Sequence, residues 1–93
     1  MFRAVVLWER APDADWYSRH AELCKQVPGV SFQAGRIFGS PAGKPDREQY
    51  AQFDFPDREA FDRGMTSPEM RAAVEDGQTQ GIPFHVYFVE LDD

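Results

Sequence analysis

Two segments of this chain carry apolar side chains on both faces of a β-strand, and this feature constrains the fold more than any other. The first, FRAVVLWE, runs from Phe2 to Glu9, and the second, PFHVYFVEL, runs from Pro83 to Leu91. Strands of this kind need cover on both sides. A chain of 93 residues has material for one modest core. We therefore expect helices on one face of a sheet and the sheet of a second copy on the other.

A helix is predicted after the first strand. Asp13 can cap its start, and apolar or aromatic groups then recur on one side at Trp16, His20, Leu23 and Val27. The Pro-Gly pair at positions 28 and 29 is expected to end it. An imidazole therefore lies on the stripe that must face the sheet.

The remaining segments complete a recognisable order. A second strand is predicted over residues 30–39, with Gly35 as a possible bulge position, and QYAQFDF alternates strictly as a third strand. Two helices follow, opened by Asp57 and by Ser67 with Pro68. The order strand, helix, strand, strand, helix pair, strand predicts an α+β, ferredoxin-like fold with a four-stranded antiparallel sheet and helices on one face. We expect one domain over residues 1–93.

Composition narrows the partners and the compartment. A net charge of -6, without a cluster of Lys or Arg, argues against nucleic acid as a partner. The start of the chain does not have the pattern of a signal peptide, and no run is long enough for a membrane span. The single cysteine, Cys24, cannot form an intrachain disulfide. We expect a cytoplasmic protein that does not bind membranes.

His20 and His85 are the candidate catalytic residues. An imidazole can give or take a proton near neutral pH, which suits a general acid or base, but either residue could equally be structural. His85 shares a strand face with Tyr87, so the two rings form a donor pair or part of an interface between subunits. Trp16, one helical turn before His20, could wall a flat ligand or belong to the core.

Arg36 and Tyr50, on predicted strands, are further candidates for substrate binding. Arg36 could orient a carboxylate or enolate, and Tyr50 could donate a phenolic hydrogen bond. Cys24 has no activating cation nearby except Lys25, so we expect it to be inert. The spacing of the histidines does not support a metal site. Haem ligation by one histidine is an alternative, since one axial ligand suffices.

Several short motifs occur along the chain. They are the run HAEL from His20 to Leu23, the run VPGV from Val27 to Val30, the FPD and TSPE runs at residues 55–57 and 66–69, and the pair at 36–37. In this order and spacing they resemble the EthD-like family of the dimeric α+β barrel superfamily. Together they cover most of the chain. The sequence departs from the family pattern at Glu22, where proline is common, and at Gln52, where a glutamate is expected.

The resemblance implies a small cavity inside each monomer and a homodimer that closes a barrel. It implies a small organic ligand, apolar or aromatic, and a cofactor-independent isomerase, cyclase or monooxygenase with the helix histidine His20 as its acid or base, so we expect no cofactor. Two other functions stay open. One is a noncatalytic binding or accessory protein for an oxygenase in a catabolic pathway, since the founding EthD group is associated with ether degradation alongside a cytochrome P450. The other is a haem-binding relative. The fold does not decide among them.

Overall fold

A computed structural model describes residues 1–92 of the chain. Its elements, in chain order, are β1 (Phe2–Trp8), α1 (Ala14–Cys24), β2 (Ser31–Arg36), β3 (Gln49–Phe55), α2 (Arg58–Met65), α3 (Pro68–Gln78) and β4 (Phe84–Glu90). The strands form one antiparallel sheet in the order β2-β3-β1-β4. The predicted α+β class and ferredoxin-like arrangement are confirmed.

Each helix begins where the sequence provides a capping side chain. The carboxylate of Asp13 accepts a hydrogen bond from the Trp16 amide at the start of α1, and the Asp57 carboxylate caps α2 in the same way. The Ser67 hydroxyl caps α3, whose first residue is Pro68. These caps satisfy amides that have no partner inside the helix.

Helix α1 is shorter than predicted, because it ends at Cys24 rather than at the Pro-Gly pair. Val27 lies beyond the helix but is still buried. The residue before a proline disfavours helical backbone angles, so the chain leaves the helix before Pro28. Gly29 then takes a positive φ of 75° in the turn to β2.

Strand β2 is also shorter than predicted, at Ser31–Arg36. Gly35 pairs with Tyr50 in regular register, so the glycine does not mark a bulge. Ile37 adds one more backbone hydrogen bond to Glu48, after which the chain leaves the sheet. The polar connection that follows joins β2 to β3, as the sequence predicted.

The core lies between the helices and one face of the sheet. Its buried members include Ala4 and Trp8 from β1, Phe53 and Phe55 from β3, and Phe61 from α2. Strand alternation places residues 3, 5 and 7 of β1 on the opposite face, which we call the open face because no helix covers it.

The open face has a polar half and an apolar half. In the polar half, Arg3 makes two hydrogen bonds to Asp54, at 2.6 and 2.9 Å, and Gln52 bridges Asp54 to Gln33. The neighbouring half is formed by β1 and β4, and its apolar or aromatic members are Val5, Leu7, Tyr87 and Val89. An exposed sheet face with an apolar half agrees with the expectation that helices cover one face of the sheet and a second copy covers the other.

The helices within residues 1–92 are short, with at most 11 residues each. None of them has the length and apolar character needed to cross a bilayer.

Candidate functional site

His20 lies on α1 with its ring turned toward the sheet, and only 6% of the residue is exposed. Its Nδ1 is 2.9 Å from Oδ2 of Asp76, a residue of α3. A carboxylate can only accept a hydrogen bond, so this contact places the ring proton on Nδ1. The imidazole is therefore held by a carboxylate from another helix and not by a backbone carbonyl.

The second ring nitrogen of His20 meets a thiol. Cys24 Sγ lies 3.5 Å from Nε2, one helical turn along α1. Burial, together with the nearby Asp76, raises the pKa of Cys24 to about 12. The thiol therefore keeps its proton at neutral pH and can donate it to Nε2, which agrees with the expectation that Cys24 is inert.

Aromatic rings surround the imidazole. Trp16 stacks on it, with ring centroids 4.7 Å apart and planes 13° from parallel. Trp8 of β1 meets it edge to face at 6.0 Å. These contacts fix the plane of the imidazole, so that its two nitrogens point at Asp76 and Cys24.

A cavity of about 60 Å³ lies beside His20, between the helices and the sheet. Its walls are apolar apart from the His20 ring, the Cys24 thiol and the Tyr17 phenol. The sheet contributes Ala4, Val6, Trp8, Ala51, Phe53, Phe84 and Val86, and the helices contribute Met65, Met70, Ala73, Val74 and Gly77. Burial raises the pKa of Tyr17 to about 12, so this phenol also keeps its proton.

Trp16 does not wall this cavity, although the sequence suggested that it could. Trp8 and Tyr17 are the large aromatic residues of the lining nearest to His20. Trp16 acts on the site indirectly, by covering one face of the imidazole.

His85 and Tyr87 share a strand face, as their spacing predicted, but this is the open face. His85 is opposite Leu7 and Tyr87 is opposite Val5 on β1. His85 Nε2 lies 2.8 Å from Glu9 Oε2, and this hydrogen bond lowers the pKa of the Glu9 carboxyl. The sheet itself therefore separates His85 from His20.

Tyr50 and Arg36 also lie away from the cavity. Tyr50 is on the open face, and its hydroxyl donates to Gln52 Oε1 at 2.9 Å. Arg36 is the last residue of β2 and is exposed. Of the six predicted site residues, only His20 and Trp16 come together, while His85, Tyr50 and Tyr87 share the other face of the sheet.

Three of the four histidine ring nitrogens have hydrogen-bond partners, which bears on the haem alternative. Both nitrogens of His20 are engaged, and Nε2 of His85 is bonded to Glu9. Within residues 1–92, no group of three or more His, Cys, Asp and Glu side chains is placed to hold a metal ion.

Sequence reasoning missed Asp76, which is 56 positions from His20. Asp76 is one of 16 acidic residues, and no motif distinguishes it. Trp8 could have been found, because the alternation of β1 puts it on the same face as Ala4. Cys24 was expected to be inert but was not paired with His20, although it lies four residues after His20 on the helix.

Comparison with known families decides the identity of this fold. Residues 9–79 match the EthD domain. The chain belongs to the EthD family. The match includes α1 with His20 and α3 with Asp76, so both partners of this hydrogen bond lie inside the EthD domain.

Solved structures share the fold of this EthD protein along almost its whole length. An EthD family protein from Bacillus halodurans superposes with a TM-score of 0.85 at 23% identity, over 99% of both chains. A dimeric ferredoxin-like protein of unknown function from Jannaschia sp. gives 0.76 at 15% identity, over 97% of this chain and 98% of the other. SnoaB from Streptomyces nogalater, a cofactor-independent oxygenase solved as a mutant, gives 0.70 at 13% identity, over 99% and 93%. At these identities the likeness shows the fold alone.

No curated protein sequence is significantly similar to this EthD chain. Its chemistry must therefore be argued from the site.

Proposed function

We propose that this EthD protein binds a small, mainly apolar organic compound in the cavity and that His20 moves a proton on it without a cofactor. The observation that carries the proposal is the His20–Asp76 pair, whose imidazole lines a mainly apolar cavity. A buried imidazole that needed only a structural partner could use a backbone carbonyl. A carboxylate instead stabilises the imidazolium that forms when Nε2 takes a proton.

The residues support one sequence of proton movements. A ligand with an acidic C–H or O–H replaces the Cys24 thiol as the donor to Nε2. His20 takes that proton, the electron pair stays on the ligand as an enolate or alkoxide, and the Asp76 carboxylate balances the new positive charge. His20 then returns the proton to a different atom. The net result is an isomerisation or cyclisation that needs no oxidant and no second reactant.

The activity of one structural neighbour supports cofactor-free chemistry on this fold. SnoaB is a cofactor-independent oxygenase with the same fold. Oxygenation of the deprotonated ligand would need dioxygen as a second substrate. Proton transfer is the reaction that this chain's own residues support most directly.

A noncatalytic binding protein is the second candidate, and the apolar lining favours it. Apart from His20, the polar groups in the described lining are a thiol and a phenol that both keep their protons. Such walls suit capture of an apolar compound by burial alone.

One experiment separates the two candidates. Lactones, ketones and 1,3-dicarbonyl compounds would be incubated with the protein in D₂O, and exchange of their acidic C–H positions followed by NMR. We expect catalysed exchange in at least one compound and its loss in His20→Gln, with ligand affinity changed by less than about threefold. The matched control is Glu75→Gln, a neutral change at an exposed position of α3. Binding without catalysed exchange in the native protein would favour the noncatalytic candidate.

The open face supports a second part of the proposal, a homodimer in which two sheets pack face to face. Its apolar half needs cover, and the structural relative from Jannaschia sp. is dimeric. In this arrangement His85, Tyr87 and Tyr50 lie in the interface between the sheets and not in the monomer cavity. The His85–Glu9 pair then contributes polar contacts to that interface.

A further inference from the structure

The cavity beside His20 opens to the surface between α3 and β4. Two residues of its lining, Val74 of α3 and Val86 of β4, are also exposed, at 39% and 44%. Phe88, two residues further along the same face of β4, is 65% exposed. We call these three residues the mouth strip. An exposed apolar strip that continues a buried apolar cavity indicates a binding surface.

The size of the cavity shows why the strip matters. Its volume is about 60 Å³, whereas an engineered apolar cavity of about 150 Å³ is the size known to admit benzene. A ligand as large as a substituted ring therefore does not fit inside. Part of it must lie in the opening, against Val74 and Val86.

The strip leads away from the cavity in one direction. Val86 and Phe88 are about 7 Å apart along the strand. The Phe88 ring then meets the edge of Phe61, with centroids 5.1 Å apart, beside a surface groove of about 210 Å³ that both rings line. An apolar chain of several carbons that leaves the cavity would lie along this path.

We infer that the ligand of this protein is amphipathic, with an acidic O–H or C–H head group at His20 Nε2 and an alkyl chain along the mouth strip. The inference rests on the proposed function for the position of the head group. The position of the alkyl chain is inferred independently of the proposed function. Continuity between the cavity and the strip through Val74 and Val86 favours a ligand over a second protein copy as the occupant.

The test uses 4-alkylphenols with side chains from methyl to heptyl as probes. Trp8 lines the cavity, so quenching of tryptophan fluorescence reports binding. Burial of each methylene against apolar side chains tightens Kd about threefold to fourfold. We expect this increment to continue beyond the shortest chains and to stop when the chain passes Phe88.

Val86→Lys should flatten the chain-length dependence, because it should weaken binding of 4-heptylphenol by a larger factor than binding of 4-methylphenol. Val74→Lys, on the opposite side of the opening, is the second variant in case Val86→Lys does not fold. The matched control is Phe38→Ser, which removes a fully exposed aromatic ring from the connection between β2 and β3. It should leave the dependence unchanged.

The outcomes separate this inference from the proposed function. A flat dependence in the native protein, with catalysed C–H exchange of the carbonyl compounds lost in His20→Gln, would overturn the strip and leave the role of His20 standing. A steep dependence lost in Val86→Lys, with catalysed C–H exchange unaffected by His20→Gln, would support the strip and overturn the catalytic role of His20. Loss of self-association in Val86→Lys with unchanged phenol binding would assign the strip to a second copy. No binding of any probe would overturn the amphipathic ligand.

Discussion

His20 Nδ1 and Asp76 Oδ2 lie 2.9 Å apart and join α1 to α3 across 56 positions of the chain. This contact fixes the tautomer of the imidazole and leaves Nε2 as the nitrogen that can take a proton beside the cavity. It also links the two helices through one polar contact, in which the His20 side chain is buried and the Asp76 side chain is 33% exposed. The site and the packing of the two helices therefore depend on the same hydrogen bond.

Replacing Asp76 with asparagine should impair proton transfer more than binding. The amide keeps the shape of the carboxylate but loses the negative charge that stabilises the imidazolium. We expect the exchange rate in D₂O to fall at least tenfold while the Kd of the ligand changes less than about threefold. The ¹⁵N chemical shifts of His20 should also report a mixture of tautomers. Glu75→Gln is the control, and an unchanged exchange rate in Asp76→Asn would contradict the positioning role.

Stability should fall at alkaline pH because of Cys24. The free thiol titrates at 9.0 and the folded one at about 12, so above pH 9 the unfolded state binds fewer protons than the folded state. The free energy of unfolding is therefore fully retained below pH 9 and decreases by about 1.4 kcal/mol per pH unit above it. Tyr17, whose pKa is raised from 10.0 to about 12, adds a similar slope above pH 10.

Urea unfolding between pH 8 and pH 10 would measure this effect. In Cys24→Ala the slope between pH 9 and pH 10 should disappear, whatever the variant's stability at pH 8. A native slope that persists in Cys24→Ala would show that another group is responsible.

Two helix glycines should respond in opposite ways to alanine. A Cβ at Gly64 would lie 2.7 Å from Cζ of the Phe55 ring, closer than packing allows, so Gly64→Ala should destabilise the fold by about 1–3 kcal/mol. At Gly77 the nearest atoms, from Trp8, His20 and Phe84, are 3.5 to 3.7 Å away, which is ordinary contact. Gly77→Ala should be neutral or gain up to about 1 kcal/mol, because alanine loses less backbone entropy in a helix. Thermal unfolding of both variants checks the contrast.

A charge in the apolar half of the open face should prevent dimerisation. Val5 lies in the middle of this half, between Gln52 on β3 and Tyr87 on β4. Val5→Lys would bury an ammonium group between two sheets, at a cost of several kcal/mol. We expect sedimentation velocity to show a dimer for the native protein and a monomer for the variant. Ala72→Lys, at an exposed position of α3, is the control, and a native monomer would overturn the dimer.

The fold could be predicted because its signals are local. Strict alternation in QYAQFDF predicted β3 and the face of each of its side chains, and Asp13, Asp57 and Ser67 marked the helix starts. The errors were at element ends. Val27 lies outside the helix because of the proline after it. Strand β2 ended three residues early, because the backbone pairing stops after Ile37 and the Phe38 side chain is left fully exposed.

By itself, the sequence determined the order and type of the elements, the placement of His20 on a buried helical stripe, and the need to cover both faces of β1 and β4. Only the tertiary structure decided which residues form hydrogen bonds with His20 and which of the candidate site residues lie near it. The choice of Asp76 among 16 acidic residues depends on how α1 and α3 pack, which no local pattern records. The separation of His85 from His20 has the same origin. Alternation tells which residues of a strand share a face, but only the assembled sheet tells which face the helices cover.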